Sequence, residues 1–170
     1  MPHIEIRTEI YSDVHTCFDL ARNIDFQKES LEHVTEIPFA GKTSGHIGLG
    51  EWVSWEVIHL GVVQHITSKV TAFSKPYFFV DEMILGVFKS CRHEHIFKEA
   101  GNKTIMTDKF YFELPYGVFG KLMNIFVLNR YLTKVLKIRA TCLKKEAESN
   151  LGVKFITKTK MIDSAQVYQL

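Results

Sequence analysis

The chain has 170 residues and a formal charge of +2, with 46% apolar and 24% charged residues. That is enough for one domain with a real core, and the near-neutral balance gives no electrostatic case for a nucleic-acid partner. Cys17, Cys91 and Cys142 are far apart, odd in number and form no CxxC, so neither a disulfide framework nor a zinc site is indicated and a reducing, cytoplasmic setting fits.

The N-terminal stretch Met1 to Arg7 alternates with charge and lacks a signal-peptide apolar block. No run reaches the roughly 18 apolar residues of a spanning helix. Ile4, Ile6 and Ile10 alternate with polar residues, which predicts a half-buried strand over 3–11. Ser12 and Asp13 offer a helix cap, and Val14, Cys17, Phe18 and Ala21 follow at helical spacing. Asn23 reads as a second helix start, leading into Phe26, Glu29, Ser30 and Leu31. Residues 34–40 read as a strand, ended by Pro38 or Gly41.

A glycine-rich loop (Gly41, Gly45, Gly48, Gly50) precedes a series of long β-segments. Residues 51–60 carry Val53, Trp55 and Val57 in alternation, and 62–73 are rich in β-branched residues. Ser74-Lys75-Pro76 is a turn signal. Further strands are predicted over 77–85, 88–99 and 103–114, the last two joined at Gly101-Asn102. Pro115 and Gly117 stop the sheet, and from Phe119 to Ser149 nothing breaks a helix about 45 Å long. Its first half is apolar almost all round and its second half is polar. Such a helix must be covered on several sides, and a sheet curling around it would do so. The expected fold is α+β: a curved antiparallel sheet of about seven strands wrapped around the long C-terminal helix, with two short helices after the first strand. The expected domain spans 1–149, and 150–170 form a tail, either an extra strand or partly disordered.

The hairpin carries the most chemistry. With Gly101-Asn102 as the turn, Phe97 faces Met106, His95 faces Asp108, His93 faces Phe110 and Cys91 faces Phe112, all on one side of the sheet. The opposite side carries Arg92, Glu94, Lys98, Thr107, Lys109 and Glu113 and reads as solvated. Two histidines and an aspartate therefore enter an otherwise apolar wall. A buried carboxylate is costly unless paired, and an imidazole oriented by a carboxylate suits acid–base work. Three readings stay open for His95–Asp108: a structural cross-strand pair, a ligand contact, or a catalytic pair. His93 and His95 could also ligate a metal with Asp108, His59 or His65 as the third ligand, but no motif supports it, and no metal or cofactor is expected. Gly45-His46-Ile47-Gly48-Leu49-Gly50 precedes a strand rather than opening a helix, so it is not a dinucleotide loop.

Several strings resemble the START-related superfamily (SRPBCC), which includes birch-pollen-allergen-like proteins, lipid-transfer domains and aromatic polyketide cyclases. They are Trp55 with His59, Pro76 to Asp81, Gly86-Val87-Phe88, His93 to Phe97, Thr104 to Asp108, Leu114-Pro115-Tyr116-Gly117, and Arg139. The likeness spans residues 3–149 and is most specific from His93 to Gly117. It implies a helix-grip fold with a cavity for lipids, polyketides or aromatic compounds, and it transfers no catalytic set. Cys91 stands where the resemblance leads one to expect an aromatic residue.

The leading expectation is binding or carriage of a hydrophobic small molecule. The expected contacts are Trp55, His93, His95, Phe97, Asp108, Phe110, Phe112, Leu122, Phe126 and Leu132. One alternative is a cyclase- or dehydratase-like enzyme with His95 as base and Asp108 orienting it. Another is an interaction module, for example a homodimer through Phe119 to Tyr131.

Overall fold

The computed structural model describes residues 3–30, 36–59, 61–115 and 125–149. In chain order the elements are β1 (His3–Ile10), α1 (Val14–Ala21), α2 (Ile24–Glu29), β2 (Glu36–Gly41), β3 (Trp52–His59), β4 (Val62–Ser74), β5 (Phe78–Leu85), β6 (Ser90–Ala100), β7 (Lys103–Glu113) and α3 (Ile125–Glu148). The expected start of the long helix at Phe119, the residue Leu122 and the tail 150–170 lie outside the described residues.

All seven strands form one antiparallel sheet in the order β1-β7-β6-β5-β4-β3-β2. Sequential hairpins build β2 to β7, and β1 closes against β7. Register shifts between Pro38 and Ala40, Thr67 and Ser68, and Val70 and Ala72 interrupt the ladders; such bulges bend a sheet and increase its twist. Gly41, with φ +75°, lies so close to Trp52 that an added Cβ would meet the Trp52 carbonyl oxygen at 2.3 Å. No side chain fits there.

The two short helices start where the sequence places their caps. Asp13 accepts from Thr16 N at 2.9 Å, and Asn23 accepts from Phe26 N at 2.9 Å; each cap contributes about 1 kcal/mol. On α1, Val14, Cys17, Phe18 and Ala21 are buried, one face of a helix. The Phe18 ring meets Phe73, Phe79 and Phe97 edge-on at 5.3, 5.5 and 5.6 Å, a favoured aromatic geometry.

The polar second half of α3 is anchored by its end. Glu148 accepts from Tyr11 N at 2.8 Å, and the Lys144 ammonium sits 5.6 Å from the Tyr11 ring centre. Leu128, Leu132, Ala140, Leu143 and Ala147 form its buried stripe. The helix packs chiefly on β1 and α1. Between α3 and strands β3 to β7 the inward side chains do not fill the space, and a cavity remains.

Candidate functional site

The cavity has a volume of about 590 Å³, within the usual range of small-molecule pockets. Val53, Trp55 and Val57 of β3 and Val70 of β4 form one wall; Leu128, Leu132, Val135 and Leu136 of α3 form the opposite one. Ile24 and Phe26 of α2 close one end together with Ile47. Ile47 belongs to the glycine-rich loop, which is tied down rather than loose. Ile24 N donates to Gly45 O at 2.9 Å, Ile47 N donates to Arg22 O at 3.0 Å, and Gly45 N donates to the Asp25 carboxylate at 3.0 Å. The loop is an ordinary β–β connection that supplies one apolar plug.

The hairpin register is the one that Gly101-Asn102 predicts: His95 faces Asp108, His93 faces Phe110, Phe97 faces Met106 and Cys91 faces Phe112. Trp55, His93, His95, Asp108, Phe110 and Leu132 line the cavity. Phe97 and Phe112 do not. Phe97 is buried against Phe18, and Phe112 is enclosed between Phe88 and Phe110, which take the cavity positions instead. Phe126 is a correction of a different kind. It is 82% exposed on the outer side of α3, because a helix apolar all round does not reveal which of its faces turns inward.

The polar cluster is larger than the sequence suggested. Asp108 Oδ1 lies 2.8 Å from His95 Nδ1 and 3.3 Å from His93 Nε2. His95 Nε2 lies 3.1 Å from Asp81 Oδ2. Asp81 arrives from β5, where it pairs with His93 in register and reaches His95 diagonally. The His95 ring stacks on Phe79 with centroids 4.2 Å apart and lies 3.8 Å from the His93 ring. The exposed His65 pairs with Glu56 at 3.2 Å, outside this cluster.

With a carboxylate at each ring nitrogen, His95 is an imidazolium held between two anions. Burial alone would disfavour its charge, but the hydrogen bonds and charges of Asp108 and Asp81 outweigh this and raise it to about 9. Burial would raise both carboxyl groups, yet the close contacts with His93 and His95 hold Asp108 well below the usual carboxylate range, and the hydrogen bond with His95 lowers Asp81 as well. His93 is pushed down, first by burial and then by the charge of His95. The Cys91 thiol, on the same wall, is pushed up to about 12 by burial. A general-base role for His95 is therefore not what this geometry offers. The nitrogen a base would use is given to Asp81, and the ring holds its proton at neutral pH.

A second polar point went unread. Glu36 of β2 is buried and ion-paired with Arg139 of α3, and both line the cavity. The acid lies in a segment read only as a strand, and nothing local marks it as inward-facing.

Fold comparison places this architecture among known ones. No protein-family model and no curated protein sequence matches the chain. The structure resembles a protein from Thermus thermophilus, TTHA0849, with a TM-score of 0.70 at 15% identity, covering 85% of this chain and 95% of that one. It resembles a START superfamily protein from Mycobacterium smegmatis with a TM-score of 0.66 at 10% identity, covering 86% and 97%. It also resembles Ara h 8.0201 with a TM-score of 0.63 at 9% identity, covering 88% and 99%. Identities this low speak for fold alone. The chain is a helix-grip protein with the fold of the START-related superfamily.

Proposed function

We propose that this protein binds a hydrophobic small molecule in its internal cavity. The carrying observation is a cavity of about 590 Å³ with mainly apolar walls and two clusters of charged side chains among the described residues, His93/His95/Asp81/Asp108 and Glu36/Arg139. Apolar walls supply affinity by desolvation, and a few fixed polar groups orient the ligand. Because Asp108 and Asp81 take both ring nitrogens of His95, His93 and Arg139, whose Nε2 and Nε make no hydrogen bond, are the groups suited to meet a carbonyl, hydroxyl or carboxylate at the polar end of the ligand. A lipid, polyketide or aromatic compound fits that description. Carriage is favoured over turnover because the base assigned to the enzymatic alternative is already protonated and hydrogen-bonded on both sides. The three cysteines are free thiols, which supports a reducing, cytoplasmic setting.

Trp55 gives the test a built-in reporter, since it lines the cavity. In a Trp52→Phe background, an apolar naphthalene-sulfonate probe should bind saturably and quench Trp55 emission by energy transfer. A probe that binds without quenching Trp55 sits elsewhere, and the reading then loses its support.

A further inference from the structure

One ligand atom each from Asp81, His93 and His95 lies within 4.8 Å of the other two. Two imidazoles and a carboxylate suit zinc or a neighbouring first-row divalent ion. The 3.1 Å between His95 Nε2 and Asp81 Oδ2 is close to the spacing of two ligands that each sit about 2.0–2.2 Å from one zinc ion. The donors come from two adjacent strands, so their spacing is held by the ladder between β5 and β6.

Two further observations point to a cation. His93 Nε2 is buried and makes no hydrogen bond, although Asp108 is 3.3 Å away. Asp108 also binds His95 Nδ1 at 2.8 Å, which fixes the ring with Nε2 towards Asp81. A carboxylate behind a ligating imidazole is the usual way of orienting such a ligand. The cluster holds two carboxylates, so it stays net negative even with His95 charged, and an ion bound at His95 Nε2 would take the place of the proton held there, which is released. A divalent ion would neutralise that buried charge.

We propose that Asp81, His93 and His95 bind a divalent transition-metal ion, zinc being the best match, on the wall of the cavity, with Asp108 as a positioning residue. Three protein ligands leave at least one coordination position open towards the cavity. That position would take an oxygen donor of a bound molecule, and this part alone rests on the ligand-binding reading.

The test uses the full chain, stripped with a chelator, and metal alone. Zn²⁺ titrated calorimetrically should bind at one ion per chain. Asp81→Asn and His93→Gln should each weaken binding roughly tenfold or more, and Asp108→Asn should weaken it by a similar factor. His65→Gln should change nothing. Circular dichroism checks that each variant is folded. If the variants fail to fold, the wild-type protein still decides: Co²⁺ should broaden the His93 and His95 ring signals before those of any other histidine. Absence of one-to-one binding at micromolar metal overturns the proposal. So does unchanged affinity in the folded Asp81→Asn and His93→Gln proteins, or broadening centred on other histidines. None of these results bears on whether the cavity holds an apolar molecule, which the Trp55 experiment tests separately.

Discussion

His95 Nδ1 and Asp108 Oδ1 face each other at 2.8 Å across β6 and β7, buried on the wall of a cavity, because the turn at Gly101-Asn102 sets a register in which those two residues are directly opposed. A buried charge left without its partner is expensive. Asp108→Asn is expected to destabilise the protein by about 3–5 kcal/mol, since it strips a charged imidazole of one anion. In urea denaturation the His95→Gln/Asp108→Asn double variant should cost clearly less than the sum of the single ones. Additive single effects would mean that the pair is not coupled in the folded protein.

The pair of buried Glu36 with half-buried Arg139 should behave in the same way. Arg139→Met leaves Glu36 charged among apolar side chains and should cost about 3 kcal/mol. Replacing both partners, Glu36→Met with Arg139→Met, should recover most of that loss, because an apolar pair of similar volume avoids burying any charge. Thermal denaturation of the three variants checks this, and a double variant no better than the Arg139 single one would contradict it.

How far these relations could be read in advance depended on range along the chain. Caps at Asp13 and Asn23 and the pairing of His95 with Asp108 are local, set within a helix turn or by a two-residue hairpin, and they were legible. Asp81 was not linked to the histidines, because the β5–β6 connection over 86–89 is longer than a tight turn and does not state its register. Glu36 and Arg139 meet across the sheet–helix gap with more than a hundred residues between them. Phe126 was placed inside because periodicity fails where every face of a helix is apolar, and Phe97 and Phe112 because one sheet face serves both core and cavity.

Acid sensitivity should report on Asp19. Its carboxylate is buried between Arg22 at 2.8 Å and Lys75 at 3.0 Å. Burial alone would raise it, but the hydrogen bonds and charges of these two partners bring it below the ordinary aspartate value. A carboxyl group depressed in the folded state adds stability that is present above the unfolded value, about 3.9, and is lost as pH falls through the lower folded one. Asp19→Asn should therefore cost about 1–3 kcal/mol at neutral pH, and the gap to wild type should shrink below about pH 4. A gap independent of pH would show that the ion pairs are not its source.

The cavity volume itself can be manipulated at Cys91. The thiol lines the cavity opposite Phe112. Cys91→Phe should fill part of the space and weaken binding of bulky apolar probes by roughly tenfold, about 1.4 kcal/mol, with smaller probes affected less. Equal loss for probes of every size would indicate general disruption instead of filled volume.

The most direct measurement for the central claim is mass spectrometry of the purified protein under native and then denaturing conditions. The account predicts that native ions carry an extra mass of a few hundred daltons, in the size range a cavity of this volume accepts, and that denaturation releases an apolar compound with one oxygen-bearing end. Native protein at its bare sequence mass that also leaves Trp55 unquenched by apolar probes would contradict it, since an apolar cavity that takes up nothing is not a binding site.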